Sequence, residues 1–280
     1  MGSFKHYALA GILALAASTT AHAADLLPPP PPMPYAPVPV EVGGGWYLRG
    51  DIGMTNQDVD KISYVPGSVA TSVGVGDESF ETIHLDFDSS PLFGIGIGYQ
   101  FNSWIRADIT GEYRGKASLH GVERGIAPAY DGVNEYSATK SEWVGLANVY
   151  LDLGTWHGLT PFVGAGAGFA RNTIDNFTDV GIAYGALAYA REHSKTNFAW
   201  ALHAGVAYDV TPNFKVELAY RYMNLGDGQT GILHRYTEDG CRCVSAKFKD
   251  IDSHDFKLGV RWMLGAPIMA ASHEPIIRKY

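Results

Sequence analysis

Eight stretches of this chain alternate, residue by residue, between an apolar side chain and a polar or glycine position. Successive side chains of a strand point to opposite faces, so this period of two predicts strands and excludes amphipathic helices. "WYLRGDIGM" (46–54) sets Arg49 and Asp51 opposite Trp46, Leu48, Ile52 and Met54. "PLFGIGIGYQF" (91–101) sets Gly94, Gly96, Gly98 and Gln100 opposite Phe93, Ile95, Ile97, Tyr99 and Phe101. "WIRADITGEYR" (104–114) carries Arg106, Asp108, Thr110, Glu112 and Arg114 on one face. "EWVGLANVYLDL" (142–153) mixes Glu142, Asn148, Tyr150 and Asp152 with Val144 and Leu146. "TPFVGAGAGFA" (160–170) alternates glycine with Val163, Ala165, Ala167 and Phe169. In 197–210, Phe198, Trp200, Leu202, Val206 and Tyr208 oppose Asn197, His203 and Asp209. In 213–225, Phe214, Val216, Leu218, Tyr220 and Tyr222 oppose Lys215, Glu217 and Arg221. The last, "DFKLGVRWML" within 254–264, sets Asp255, Lys257, Gly259 and Arg261 opposite Phe256, Leu258, Val260, Trp262 and Leu264.

The connections alternate as well. Asn102-Ser103, "GTWHG" and Thr211-Pro212 are short and built from turn residues,. The segments near 55–90, 115–139, 171–196 and 226–252 are long and are expected to be loops. Short turns at one end and long loops at the other predict an eight-stranded antiparallel transmembrane β-barrel with four extracellular loops and periplasmic turns. Closure pairs every backbone donor and acceptor, which lipid cannot do. The apolar face then meets lipid, with Trp46, Tyr99, Phe101, Tyr113, Trp143, Phe169, Tyr208, Phe214 and Trp262 as interfacial girdles,. The mixed face fills the lumen. There Arg49, Arg106, Lys215, Arg221, Lys257 and Arg261 are expected to pair with Asp51, Asp108, Glu112, Glu142, Glu217 and Asp255, since buried charges out of water must be paired,. A soluble ligand-carrying barrel would need the two faces exchanged.

The chain begins with a basic start, an apolar run to about Ala17 and an Ala21-His22-Ala23 cleavage signature. This reads as a secretory signal peptide over 1–23, too short to span a bilayer, and implies export; with the barrel pattern, the expected place is the cell outer membrane. Residues 24–45, "ADLLPPPPPMPYAPVPVEVGGG", read as a proline-rich periplasmic linker, because proline fixes φ and lacks a donor,. The barrel is expected over 46–264, with 265–280 as a tail. Charged residues make up 18% and the formal net charge is −8, an acidic balance that argues against nucleic acid.

The order "GGWYLRGDIG", "FGIGIGYQF", "NVYLDLG", "PFVGAGAGFA" and "LGVRWML" over about 44–264 resembles the small porin-like outer-membrane β-barrel surface antigens of alphaproteobacteria. The resemblance implies a barrel of the outer membrane, of a kind often abundant and often without a known activity; the partners expected are the lipid bilayer and lipopolysaccharide. Lys257, Gly259, Trp262 and Leu264 are similar to the signal read by the outer-membrane assembly machinery, although here "GAPIMAASHEPIIRKY" follows it.

Specific chemistry is sparse. "GIGIG" and "GAGAG" lack the spacing of a phosphate loop and read as small lumenal residues that make room for bulky neighbours,. His203 reads as a lumenal network member, the alternative being a general base, which would need a partner within hydrogen-bond reach. Cys241 and Cys243 in "GCRC" allow one disulfide, free thiols or intermolecular pairing,. No metal site and no cofactor are expected. Asp58, Asp60, Asp77, Glu78, Glu81, Asp86 and Asp88 make the first long loop acidic, but their spacing matches no calcium loop,. The function expected is structural and surface-interactive, through loop-mediated contacts with a surface ligand, with a narrow passive channel as the alternative and a lipid- or peptide-modifying enzyme behind it.

Overall fold

A computed structural model describes residues 44–66, 80–126, 132–183, 185–235 and 244–265. The signal peptide, the proline-rich linker, Asp77, Glu78, Cys241, Cys243 and the tail after Gly265 lie outside them. The described chain forms strands β1 (Gly45–Pro66), β2 (Phe80–Phe87), β3 (Ser90–Gln100), β4 (Ile105–Gly125), β5 (Val133–Asp152), β6 (Leu159–Gly181), β7 (Ala186–Ala190), β8 (His193–Thr211), β9 (Phe214–Asn224), β10 (Gly228–Gln229), β11 (Leu233–Arg235) and β12 (Val244–Met263).

Eight of these close a ring in the order β1-β3-β4-β5-β6-β8-β9-β12 and back to β1, all antiparallel. Closure removes the free edges that an open sheet would expose to lipid. The two chain ends of the ring meet on the short-turn side, where Tyr47 pairs with Met263 and the Leu264 amide donates to the Trp46 carbonyl. The turns follow from their residues. Asn102 Oδ1 accepts from the amides of Trp104 and Ile105. His157 and Gly158 both take positive φ between β5 and β6, at 54° and 82°, which glycine adopts without steric cost.

Over the membrane-level residues of the ring, the apolar side chains point outward. Ile95 is 75% exposed, and Leu48, Ile109, Phe198, Leu218, Phe256 and Val260 share that orientation. Aromatic pairs stand at both ends of this band: Trp46 and Tyr99 have ring centroids 5.3 Å apart, Phe214 and Trp262 6.3 Å, and Tyr113 and Trp143 5.0 Å.

The long connections differ from the sequence expectation. Most of 115–139, 171–196 and 226–252, and much of 55–90, is strand. β4, β5, β6 and β12 run about twice the ~10 residues needed to cross the hydrocarbon,. In these extensions the pattern inverts. On β4, Ala117, Leu119 and Gly121 turn inward while Lys116, Ser118, His120 and Arg124 turn outward. Water outside and a core inside require that order, so the inversion marks where strands leave lipid. β2 pairs with β4 above the end of β3, β7 and β11 extend β6, and β10 joins β12. Together they build an extracellular storey on the barrel. Its interior packs Ile62, Phe87, Leu119, Tyr136, Ile174, Phe177, Leu225, Leu233, Phe248 and Ile251. The Phe177 and Phe248 rings meet at 6.3 Å and the Phe87 and Phe248 rings at 6.4 Å.

Candidate functional site

The membrane-level lumen is filled by side chains of both signs. Arg49, Arg106, Arg114, Lys140, Arg221, Lys257 and Arg261 are buried together with Asp51, Asp108, Glu112, Glu142, Asp152, Glu217 and Asp255, so cations and anions occur in equal number. Each comes from an inward position of a ring strand, and the register carries them to one another across the axis.

Near the outer end, Glu112 and Asp255 lie between two guanidinium groups. Arg114 donates from Nη2 to Asp255 Oδ2 at 2.6 Å and from Nε to Glu112 Oε1 at 3.0 Å. Arg221 donates to the same two carboxylates, at 2.5 Å to Glu112 and 2.8 Å to Asp255. Arg114 Nη1 also reaches Ser253 Oγ at 2.9 Å and Thr55 Oγ1 at 3.2 Å. Beside them Lys140 pairs with Glu142 and donates to Gln57.

At mid-depth, Arg49 donates to Asp51 Oδ1 at 2.9 Å, to Asp108 Oδ2 at 2.8 Å and to Tyr150 Oη at 2.9 Å. Lys257 Nζ stands 3.4 Å from both Asp51 and Glu112 and so links the two layers. Asn148 donates to Asp108 at 2.8 Å and its Oδ1 lies 3.2 Å from His203 Nε2. At the periplasmic end Arg106 donates to Asp152 at 3.1 Å and stacks its guanidinium on Tyr150 and Phe162, 4.1 and 4.7 Å from the ring centroids. Arg261 Nε lies 2.9 Å from Glu217 Oε1, and its Nη1 donates to Gln100.

The glycines of "FGIGIG" and "PFVGAGAG" are the counterpart of these bulky groups. A Cβ on Gly98 would meet the Tyr47 ring, and one on Gly164 would meet the Tyr150 ring. Gly166 lies against Asn148, and Gly259 against Asp51. Removing Cβ at those positions lets opposite walls fill one narrow lumen.

Of the residues proposed from the sequence, Arg49, Asp51, Arg106, Asp108, Glu112, Glu142, His203, Glu217, Arg221, Asp255, Lys257 and Arg261 sit inside this assembly. Lys215 does not. It is partly exposed near the short-turn end and pairs with Asp209 at 2.5 Å, because the barrel mouth already begins there. Lys257 and Gly259 of the assembly segment face the lumen, while Trp262 and Leu264 face outward. The charge network expected from the sequence does not include Arg114, Lys140 or Asp152, which the structure buries within it. Arg114 and Asp152 close alternations read from the sequence, and Lys140 continues the alternation of Asn134, Tyr136 and Ala138 into Glu142. His203 packs against Tyr150, with ring centroids 5.2 Å apart, and its Nε2 lies 3.2 Å from Asn148 Oδ1.

Residues 8–263 match the family described as outer membrane protein beta-barrel domain. The chain is 29% identical to a protein of Brucella suis over 267 residues, 87% of this chain and 93% of that one. It is also 29% identical over 224 residues to a Rickettsia prowazekii protein named "Putative adhesin", covering 78% of this chain and 86% of the other. Among solved structures, the outer membrane protein OprG of Pseudomonas aeruginosa is 14% identical, with 78% of this chain and 96% of that one covered and a TM-score of 0.48. The chain belongs to the outer membrane protein β-barrel family, and its place is the cell outer membrane.

Proposed function

We propose that this barrel works through its outer surface, as a structural and contact-making protein of the cell surface, and that it neither conducts solutes nor catalyses a reaction. The observation that carries this reading is the double filling of its axis. A balanced charge core occupies the membrane-level lumen, and an apolar core occupies the storey above it. An eight-stranded ring has room for side chains and little else. The extracellular storey is a rigid stage for surface contact, being strand-built and filled, whereas mobile loops would have to lose conformational entropy on binding. The name carried by the Rickettsia prowazekii relative points the same way.

The partners that follow are the bilayer and a surface ligand met by the extracellular storey, with Lys257, Gly259, Trp262 and Leu264 offered to the assembly machinery during insertion. Two measurements test the reading. Purified barrel in planar bilayers is expected to give no steady conductance steps; large, voltage-stable steps would put the channel reading first. Proteoliposomes carrying the barrel are expected to be retained on matrix- or glycan-coated surfaces, and a variant with β2 and the 67–79 connection shortened should lose that retention. Turnover of lipid or peptide by the folded barrel, abolished by His203→Ala, would overturn the non-enzymatic reading.

A further inference from the structure

The wall of the extracellular storey is laddered all the way round except at one seam among the described residues. β1 pairs with β12, β12 with β10, β11 with β7, β7 with β6, β6 with β5, β5 with β4, and β4 with β2. β10 and β11 lie on one run of chain and so carry the wall from β12 to β7. The seam lies between β1 and β2. At the membrane β1 is laddered to β3, but that ladder ends at Thr55 and Ser90. β2, which stands above β3, is laddered to β4 alone. From Asn56 upward an edge of β1 therefore faces an edge of β2 with no ladder between them. The base is pinned, because Ser89 Oγ donates to Asn56 Oδ1 at 3.3 Å.

Two side chains packed on the apolar interior of the storey are only partly buried, Val59 and Leu85. They stand on opposite lips of this seam, one on β1 and one on β2. The outward side chains of the same lips are acidic. Asp58 and Asp60 on β1, and Asp86 and Asp88 at the lower end of β2, are exposed. Above Thr55 these two strands carry one lysine and no arginine. That lysine, Lys61, pairs across the sheet with Lys249 higher up the wall.

Unpaired strand edges accept an extended segment, whose main chain supplies the hydrogen bonds and whose alternate side chains supply the choice. A strand lying in this seam turns every second side chain inward against Val59 and Leu85, and the others outward among Asp58, Asp60 and Asp86. The first set must be apolar and the second basic. Housing it parts β1 from β2 by one further strand spacing, about 5 Å, which the length of the 67–79 connection readily allows,. We infer that the seam between β1 and β2 takes up an extended segment of a partner protein, alternating apolar and basic residues, as an added strand paired with both edges. The inference rests on the surface-contact reading above and names the class of partner.

The test uses the folded barrel in phosphatidylcholine nanodiscs and a labelled nine-residue peptide of alternating lysine and valine, with binding read by fluorescence anisotropy against empty discs. Saturable binding is expected, and a glutamate–valine peptide should bind at least about ten-fold more weakly. In an extended strand the lysine amides point to one edge and the valine amides to the other. N-methylation of either set alone should therefore abolish binding. Amides of β1 above Thr55 and of β2 should gain protection against hydrogen exchange when the peptide is bound, and those of β7 should not. Asp58→Asn with Asp86→Asn should weaken binding about ten-fold, and Glu135→Gln on the outer face of β5 should leave it unchanged. Heat-modifiable gel mobility verifies folding; if the double variant fails it, the single variants, each expected about three-fold weaker, decide the matter. No saturable binding, equal binding of the glutamate peptide, or full binding after methylation of one edge would overturn the inference. A barrel retained on coated surfaces that takes up no peptide would overturn this inference alone and leave the surface-contact reading standing.

Discussion

Arg114 and Asp255 meet at 2.6 Å inside the barrel, although their strands, β4 and β12, are separated in the ring by β3 and β1. Both side chains are fully buried. The lumen is thus a core that ties opposite walls together through charge, and its members depend on one another. Breaking a buried pair from one side leaves an uncompensated charge and costs far more than the net worth of the pair.

Arg114→Leu should therefore destabilise the folded barrel by about 3–5 kcal/mol, because Asp255 and Glu112 would each lose a partner. Arg114→Leu combined with Asp255→Leu should recover part of that loss. Urea titration in lipid vesicles, read by the heat-modifiable gel shift, measures both. A double variant as unstable as the sum of its singles would show that the two residues do not act as a pair.

Val260 lies outward on β12, beside Arg261, which faces the lumen. Val260→Arg should cost ~2–4 kcal/mol, the scale for arginine near the bilayer midplane. Arg261→Lys should be tolerated better than Arg261→Leu, which strips Glu217 of its 2.9 Å partner,. The same titration separates these responses, and a neutral Val260→Arg would sink the lipid assignment of this face.

Two glycines should answer a Cβ in opposite ways. Gly98→Ala drives a methyl into the Tyr47 ring and the Ala107 carbonyl, whose oxygen would lie at 2.6 Å. The expected loss is about 1–3 kcal/mol, as for overpacked interiors. Gly111→Ala points outward, where nothing lies within 4 Å, and should change stability by less than about 0.5 kcal/mol.

Asp227 fastens the chain between β9 and β10 to the rest of the extracellular storey. Its carboxylate lies 2.8 Å from Lys247 and 3.1 Å from Lys195, and it accepts from the Asp250 amide. Partial burial alone would raise its pKa, but the two lysines and that amide outweigh burial and hold it below the ordinary carboxylate range,. The sign follows from the depressed folded value. The fastening is fully present above the unfolded carboxylate pKa and is lost as pH falls through the lower folded value. The protection of residues 225–235 against hydrogen exchange, taken relative to the intrinsic rate at each pH, should be unchanged from pH 7 to 5 and should fall at still lower pH, while Asp227→Asn should show the lower protection already at neutral pH.

The membrane storey was legible in the sequence because lipid imposes a simple rule. Every outward position must be apolar, and period two then assigns each side chain to a face without knowledge of its neighbours. Arg49, Asp108, Glu217 and Arg261 could be placed in the lumen on that rule alone. The rule also supplied the ring, since strands in lipid must close. What tertiary structure alone decided is partnership and height. That Arg114 meets Asp255, or that Lys257 joins Asp51 to Glu112, depends on the stagger of the closed ring, which no single strand encodes. The extracellular storey was hidden for a related reason. Above the membrane the outside becomes water, so the same alternation reverses its chemistry, and Leu119, Phe177 and Phe248 look like scattered apolar residues of polar loops. Only when β4, β6 and β12 are brought around one axis do those three side chains share an interior.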